Sequence, residues 1–246
     1  MKVRLIDVSQ HPLETLDEFA SASYNTDVSK FKKVGKLLDV CTASGHTSVQ
    51  ESIWFVFHIE DVSRSLLAQF TRHRMAGYCV QSQRYVDQSK FQYITPKTIS
   101  DNPEANHLYA LHMANTREEY KTLVNDYRVP KEDARYLLPE ATTTCINYSV
   151  DLRSLIETSH QRLCNRAQWE IRELFNSFKK IIYMTVDIPR YGEARISKYL
   201  VPKCETNLDC PFCTEHNSCG KHPKLKEIYQ VYLNHKNDKG KENNAD

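Results

Sequence analysis

The sequence has 246 residues, 40% of them hydrophobic and 26% charged, and 33 Lys and Arg against 31 Asp and Glu leave a formal net charge of +2. A chain of this length and apolar content buries a core in one domain or at most two, which excludes disorder throughout. No run reaches the roughly 18 to 20 consecutive apolar residues of a membrane span, the opening MKVRLIDVSQHPLETLDEF turns acidic where a signal peptide needs an apolar stretch, and the near-neutral charge lacks the basic footprint of a nucleic-acid binder. The expected setting is the cytoplasm, with reduced thiols: eight cysteines are too few for a disulfide scaffold in a chain this long.

Residues 2–8 alternate as a short strand, and Pro12 opens a helix in which Leu13, Leu16, Phe19 and Ala20 recur at helical spacing. A second helix is expected over 30–40. The clearest period-2 signal follows, with Ile53, Phe55, Phe57 and Ile59 on one face and Trp54, Val56 and His58 on the other, which predicts a strand buried on both sides. Leu66, Leu67 and Phe70 mark a helix over about 62–73, so the triplet Arg72-His73-Arg74 lies where a helix enters a loop. Residues 89–103 read as a connection, and a long amphipathic helix from Ala105 to Tyr127 is ended by Pro130. A short helix over 131–138 stops at Pro139, and the β-branched stretch 142–150 reads as a strand. Asp151 can cap the next helix, and Leu174, Phe175, Phe178 and Ile182 stripe a further long one. The expected fold class is mixed α/β (α+β): a mixed sheet with long helices in a single domain, 1–188, followed by a Cys/Lys-rich appendage over 189–246.

The segment from Arg72 to Tyr85 carries Arg72, Arg74 and Arg84 with His73 and Ser82, interleaved with Tyr78 and Tyr85. Clustered guanidinium groups need an anion, and arginine's planar fork matches phosphate oxygens bidentately. Phosphate or nucleotide binding is the chemistry this spacing favours, against the plainer reading of a solvated basic loop.

An Arg-His-Arg triplet, seven residues, a serine, one residue and an arginine is the signature of flavin-dependent thymidylate synthases, and Arg72, His73, Arg74, Ser82 and Arg84 meet it position for position. The sequence resembles that family further at Ser44-Gly45-His46, at Glu60 and Arg64, at Gln69, at Glu132-Asp133-Ala134-Arg135 and from Arg162 to Ile171, over about residues 40–175 in all. The resemblance implies methylation of dUMP to dTMP, with methylenetetrahydrofolate giving the carbon, NADPH the electrons and FAD carrying the hydride, in a homotetramer whose sites combine several subunits. It places Gln69, Arg72, Ser82, Gln83, Arg84, Arg135 and Arg162 around dUMP. FAD would meet His46, Ser48, Arg72, His73, Arg74, Arg153 and Arg166. Arg162 and Ser82 are the candidate catalytic residues: an arginine at a pyrimidine carbonyl stabilises developing enolate charge, and Ser82, with no assured base, is better read as a hydrogen-bond donor than as a nucleophile.

Departures from the pattern are Gly77, Cys79 and Val80 where polar residues are usual, Glu157 where histidine or asparagine is usual and Ser52 where many members carry histidine. A related pyrimidine-nucleotide C5 hydroxymethyl- or methyltransferase is therefore the alternative. In the tail, Cys204, Cys210, Cys213 and Cys219 have the chemistry of a structural zinc site, with His216 or His222 as substitutes for one thiolate. A zinc-binding nucleic-acid module would explain Lys203, Lys221, Lys224 and Lys226 around these cysteines and leaves residues 40–175 unexplained.

Overall fold

The structure is a computed structural model that describes residues 1–31, 33–207 and 211–242. It divides into two compact units, Met1–Ser154 and Leu155–Asp246.

The first unit is built on a four-stranded sheet, β1 (Lys2–Val8), β2 (Trp54–Ser63), β3 (Gly77–Val80) and β4 (Thr143–Asp151), in the order β1-β2-β4-β3, and every pairing is antiparallel, which corrects the expected mixed sheet. Phe55, Phe57 and Ile59 of β2 and Ile146, Tyr148 and Val150 of β4 are fully buried on one face. The expectation that β2 is buried on both sides needs correction. Val56 and His58 are half-buried and Trp54 is 48% exposed, the pattern of an antiparallel sheet with one core face. The triplet lies in the loop expected after the helix, and beyond it β3 adds a strand that the sequence did not signal: Tyr78 and Cys79 pair with Tyr148 and Asn147 of β4. Four residues are too few for an alternation signal to stand out.

Helices α1 (Pro12–Ser21) and α2 (Lys36–Ala43) precede β2. α2 starts six residues later than its periodicity suggests because its N-terminus is set from outside. The buried Asp17 carboxylate of α1 accepts the Gly35 amide at 2.6 Å and the Leu37 amide at 3.0 Å. Gly35 has φ +73°, and a Cβ there would lie 2.8 Å from Leu13 Cδ1, so only glycine fits. α3 (Arg64–Phe70) follows β2 directly, capped by Ser63 Oγ on the Leu66 amide. Beyond β3 come α4 (Lys97–Ser100) and α5 (Pro103–Lys121), which ends in one wide turn, Thr122–Asp126. Arg117 of α5 clamps the Phe91 carbonyl through Nε and Nη2, and Tyr109 donates to the Ile94 carbonyl, so the long connection is held down. α6 (Lys131–Ala134) precedes β4, and α7 (Leu152–Arg162) begins where Asp151 accepts the Ser154 amide and hydroxyl.

In the second unit α8 (Trp169–Ile182) buries Ile171, Leu174, Phe175, Phe178 and Ile182. It passes through a wide turn, Tyr183–Asp187, into α9 (Ile188–Tyr191), and α10 (Leu225–Glu242) lies near the C-terminus. The change of composition after Pro189 coincides with no break in packing. The fully buried Asp187 carboxylate accepts the amides of Ile196 and Ser197 at 2.9 and 2.8 Å, and Ile196 and Leu200 are fully buried. Among the described residues no helix is long and apolar enough to cross a membrane.

Candidate active site

The Arg72-His73-Arg74 triplet sits on the turn between α3 and β3, and the turn is held by its backbone. The Tyr78 hydroxyl reaches the carbonyl oxygens of Phe70 and His73 at 3.0 and 2.8 Å, and the His73 amide donates to Phe70. Beneath it Phe70, Tyr78 and Tyr148 form an aromatic cluster with centroids 4.5 to 5.2 Å apart. Burial first, then Tyr78 and Asp151, drive the Tyr148 phenol far above its usual pKa, so it stays a neutral part of that base. The Arg72 and Arg74 side chains are exposed and make no hydrogen bond or ion pair among the described residues. A rigid turn thus presents two solvated guanidinium groups, a donor set that fits the pyrophosphate of a dinucleotide.

Downstream of β3, the Ser82 hydroxyl accepts the Arg84 amide at 3.2 Å. Arg84 Nε donates to Glu132 at 3.1 Å and Arg135 Nε to the Glu132 carbonyl at 3.0 Å, so Glu132 joins two of the expected dUMP arginines. Gln83 and Arg135 line one open recess of about 280 Å³ with Arg64, Tyr136 and Glu140. Burial pulls the Arg64 guanidinium below its usual pKa, Glu140 opposing and Arg135 adding to the effect. Glu140 escaped the sequence reading because a lone acid after Pro139 carries no periodic or motif signal. Gln69, at the end of α3, reaches back to the Ser65 carbonyl at 3.5 Å.

His46 owes its position to the end of α2. Gly45, at φ +76°, lets the His46 amide reach the Cys41 carbonyl at 2.8 Å and the Gly45 amide the Thr42 carbonyl at 3.2 Å, the paired bonds of a Schellman turn. His46 and Ser48 are exposed beyond it. Arg153 pairs with Glu51 at 2.7 Å. Arg162 and Arg166 belong to the second unit, where they line a recess of about 630 Å³ with Glu157, His160, Cys164 and Lys203. Burial lowers the His160 pKa, Glu157 opposing and Lys203 assisting. The structure therefore collects the candidates in groups: the triplet on its turn, Ser82, Gln83, Arg84 and Arg135 around Glu132, His46 and Ser48 at a corner, and Arg162 with Arg166.

Of the expected zinc ligands, Cys210 lies outside the described residues. Cys204, Cys213 and Cys219 line one small cavity, and Cys164, forty residues before Cys204, lines it with them.

Residues 4–186 match the profile of the family described as thymidylate synthase complementing protein. A flavin-dependent thymidylate synthase from Clostridium tetani is 34% identical over 252 residues, covering 93% of this chain and 97% of its own. Another from Pyrococcus furiosus is 36% identical over 185 residues, covering 71% and 75%. Among solved structures, the Helicobacter pylori flavin-dependent thymidylate synthase complexed with FAD and dUMP shares the fold with a TM-score of 0.60 at 22% identity, over 74% of this chain and 93% of that one. The match over three quarters of the sequence and the near full-length relative from Clostridium place this chain in the family of flavin-dependent thymidylate synthases.

Proposed function

We propose that this chain reductively methylates dUMP to dTMP, taking the carbon from methylenetetrahydrofolate and the electrons from NADPH, as a cytoplasmic homotetramer. Residues 1–188 carry the chemistry, and residues 189–246 form a Cys/Lys-rich appendage. The observation that carries the reading is the triplet turn: two arginines with no partner among the described residues, on a backbone fixed by Tyr78, ahead of Ser82 and Arg84 at the family's spacing.

In this reading Arg72, His73 and Arg74, with His46, Ser48, Arg153 and Arg166, hold FAD, whose chemistry is to carry hydride from NADPH to the one-carbon unit. Arg84 and Arg135, steadied by Glu132, take the nucleotide phosphate, and Gln69, Ser82 and Gln83 supply neutral hydrogen bonds. Arg162 lies at a pyrimidine carbonyl. It stabilises the negative charge that the oxygen gains as C5 becomes nucleophilic, a role that a fixed cation fills at little reorganisation cost. Ser82 positions the nucleotide and forms no covalent bond to it.

Purified protein reconstituted with FAD should show an oxidised-flavin spectrum and form dTMP from dUMP, methylenetetrahydrofolate and NADPH. Arg162→Ala should weaken dUMP binding by about 10-fold or more, the loss of one charge-assisted contact, and leave FAD binding intact. A protein that cannot be loaded with FAD would refute the reading. Formation of hydroxymethyl-dUMP in place of dTMP would establish the alternative transferase.

A further inference from the structure

The second unit contains a cavity of about 20 Å³, the size of one water or ion, walled by Cys164, Cys204, Cys213, Cys219, His160 and His222. We infer that this cavity is a structural zinc site in which Cys164, from the bend after α7, joins Cys204, Cys213 and His222 of the tail.

Four observations carry the ligand set. The ligand atoms of Cys204, His222 and Glu205 lie within 4.8 Å of one another, and Cys164 and Cys213 wall the same cavity outside that group. Glu205 is already engaged, by an ion pair with Lys221 and by His222 Nε2 at 3.3 Å. That contact leaves His222 Nδ1 for the metal, in the carboxylate–histidine–zinc arrangement that fixes a ligand's tautomer. Cys213 is buried, and its backbone is held by the Pro223 carbonyl at 2.8 Å, whereas Cys219 is exposed. Cys164 is held in a tight bend: its carbonyl accepts the Ala167 amide at 2.9 Å and its sulfur faces the Arg166 amide at 3.5 Å, an N–H···S contact of the kind that a metal-bound thiolate accepts. Three thiolates and a neutral imidazole leave zinc with one net negative charge, and Lys203 and Lys221 on the cavity wall offset it.

Cys164 lies between Arg162 and Arg166 in the sequence, and His160, Cys164, Lys203 and Glu215 wall both this cavity and the recess that holds the two arginines. The metal therefore fastens the tail to the bend that aims both arginines. This coupling rests on the proposed function. The metal site itself does not.

Protein purified without added metal should contain about one zinc per chain, and X-ray absorption should show three sulfurs and one nitrogen around it. Cys164→Ser should lose the metal. In the unaltered protein, maleimide should label Cys164 only after a chelator has removed the zinc, a readout that does not depend on the variant's folding. Absence of zinc, or full zinc content in folded Cys164→Ser, would overturn the site, and four sulfurs would replace His222 by Cys219. Zinc removal should weaken dUMP binding by about 10-fold if the bend aims Arg162. Unchanged affinity in protein that makes dTMP would sink the coupling alone.

Discussion

Two groups of arginines in the first unit are prepared for anions in opposite ways. Arg84 and Arg135 have their side chains fixed in advance, by the Glu132 carboxylate and carbonyl and by the faces of Tyr85 and Tyr136, with centroids 5.4 and 5.9 Å away. Arg72 and Arg74 have side chains without a partner among the described residues, on a backbone that Tyr78 fixes. The first arrangement spares the entropy of immobilising a long side chain, about 0.5 to 1.5 kcal/mol each, and suits a small ligand that must sit in one pose. The second accepts that cost and suits a larger ligand that is held along its length.

The sharpest break of this contrast is the double substitution Arg72→Ala with Arg74→Ala. Two charge-assisted contacts at about 1.5 kcal/mol or more each predict roughly 100-fold weaker FAD binding. The melting temperature should hold, since neither side chain has a partner among the described residues to lose. Flavin fluorescence titration and a thermal melt check both parts, and a clear drop in melting temperature would show that these arginines brace the fold.

Tyr78→Phe tests the backbone half. It keeps the ring in the cluster with Phe70 and Tyr148 and removes only the hydroxyl that serves the Phe70 and His73 carbonyls. The expected cost is about 1 kcal/mol of stability, with FAD binding weakened a few-fold and dUMP binding unmoved. Equal weakening of both ligands would mean that the turn serves the whole site. Glu132→Gln probes the other half and should do less. Its pair with Arg84 is half-exposed on both sides, so the loss is at most about 1 kcal/mol, read as up to roughly 5-fold weaker dUMP binding. FAD binding should not change.

Much of this contrast was legible in the sequence, and the missing part has a physical reason. The Arg72-His73-Arg74 triplet ends a helix whose apolar spacing is plain, and β2 and β4 carry enough β-branched and aromatic residues to declare themselves. What holds the arginines was not legible. Tyr78 looked like an aromatic interleaved with charges until β3 paired with β4 and set its hydroxyl over the turn. The late start of α2 depends on Asp17, eighteen residues before Gly35, and no local propensity reports such a contact. Cys164 carries no local signal for the same reason: the cysteines and His222 that share its cavity lie forty or more residues away in sequence.

A last contrast concerns two thiols on β3 and β4, where exposure and a neighbouring histidine pull expectations apart. Cys79 is exposed, while the half-buried Cys145 lies 3.7 Å from His58 Nε2, a contact that suggests an activated thiolate. The surroundings argue otherwise. His58 is taken up by Asn147 at 2.7 Å and Glu60 at 3.4 Å, and burial first, then the Glu60 charge, push the Cys145 thiol above its usual pKa. At neutral pH Cys145 is therefore a protonated, unreactive thiol. Iodoacetamide at pH 7.5 should modify Cys79 about 10-fold faster than Cys145, with Cys145 catching up as the pH rises and its thiolate forms. Cys79→Ser should keep measurable dTMP formation, because no step of the proposed chemistry runs through a thiolate. Rapid alkylation of Cys145 at neutral pH would show that His58 activates it, and a folded, flavin-loaded Cys79→Ser protein without turnover would assign Cys79 a part in the reaction.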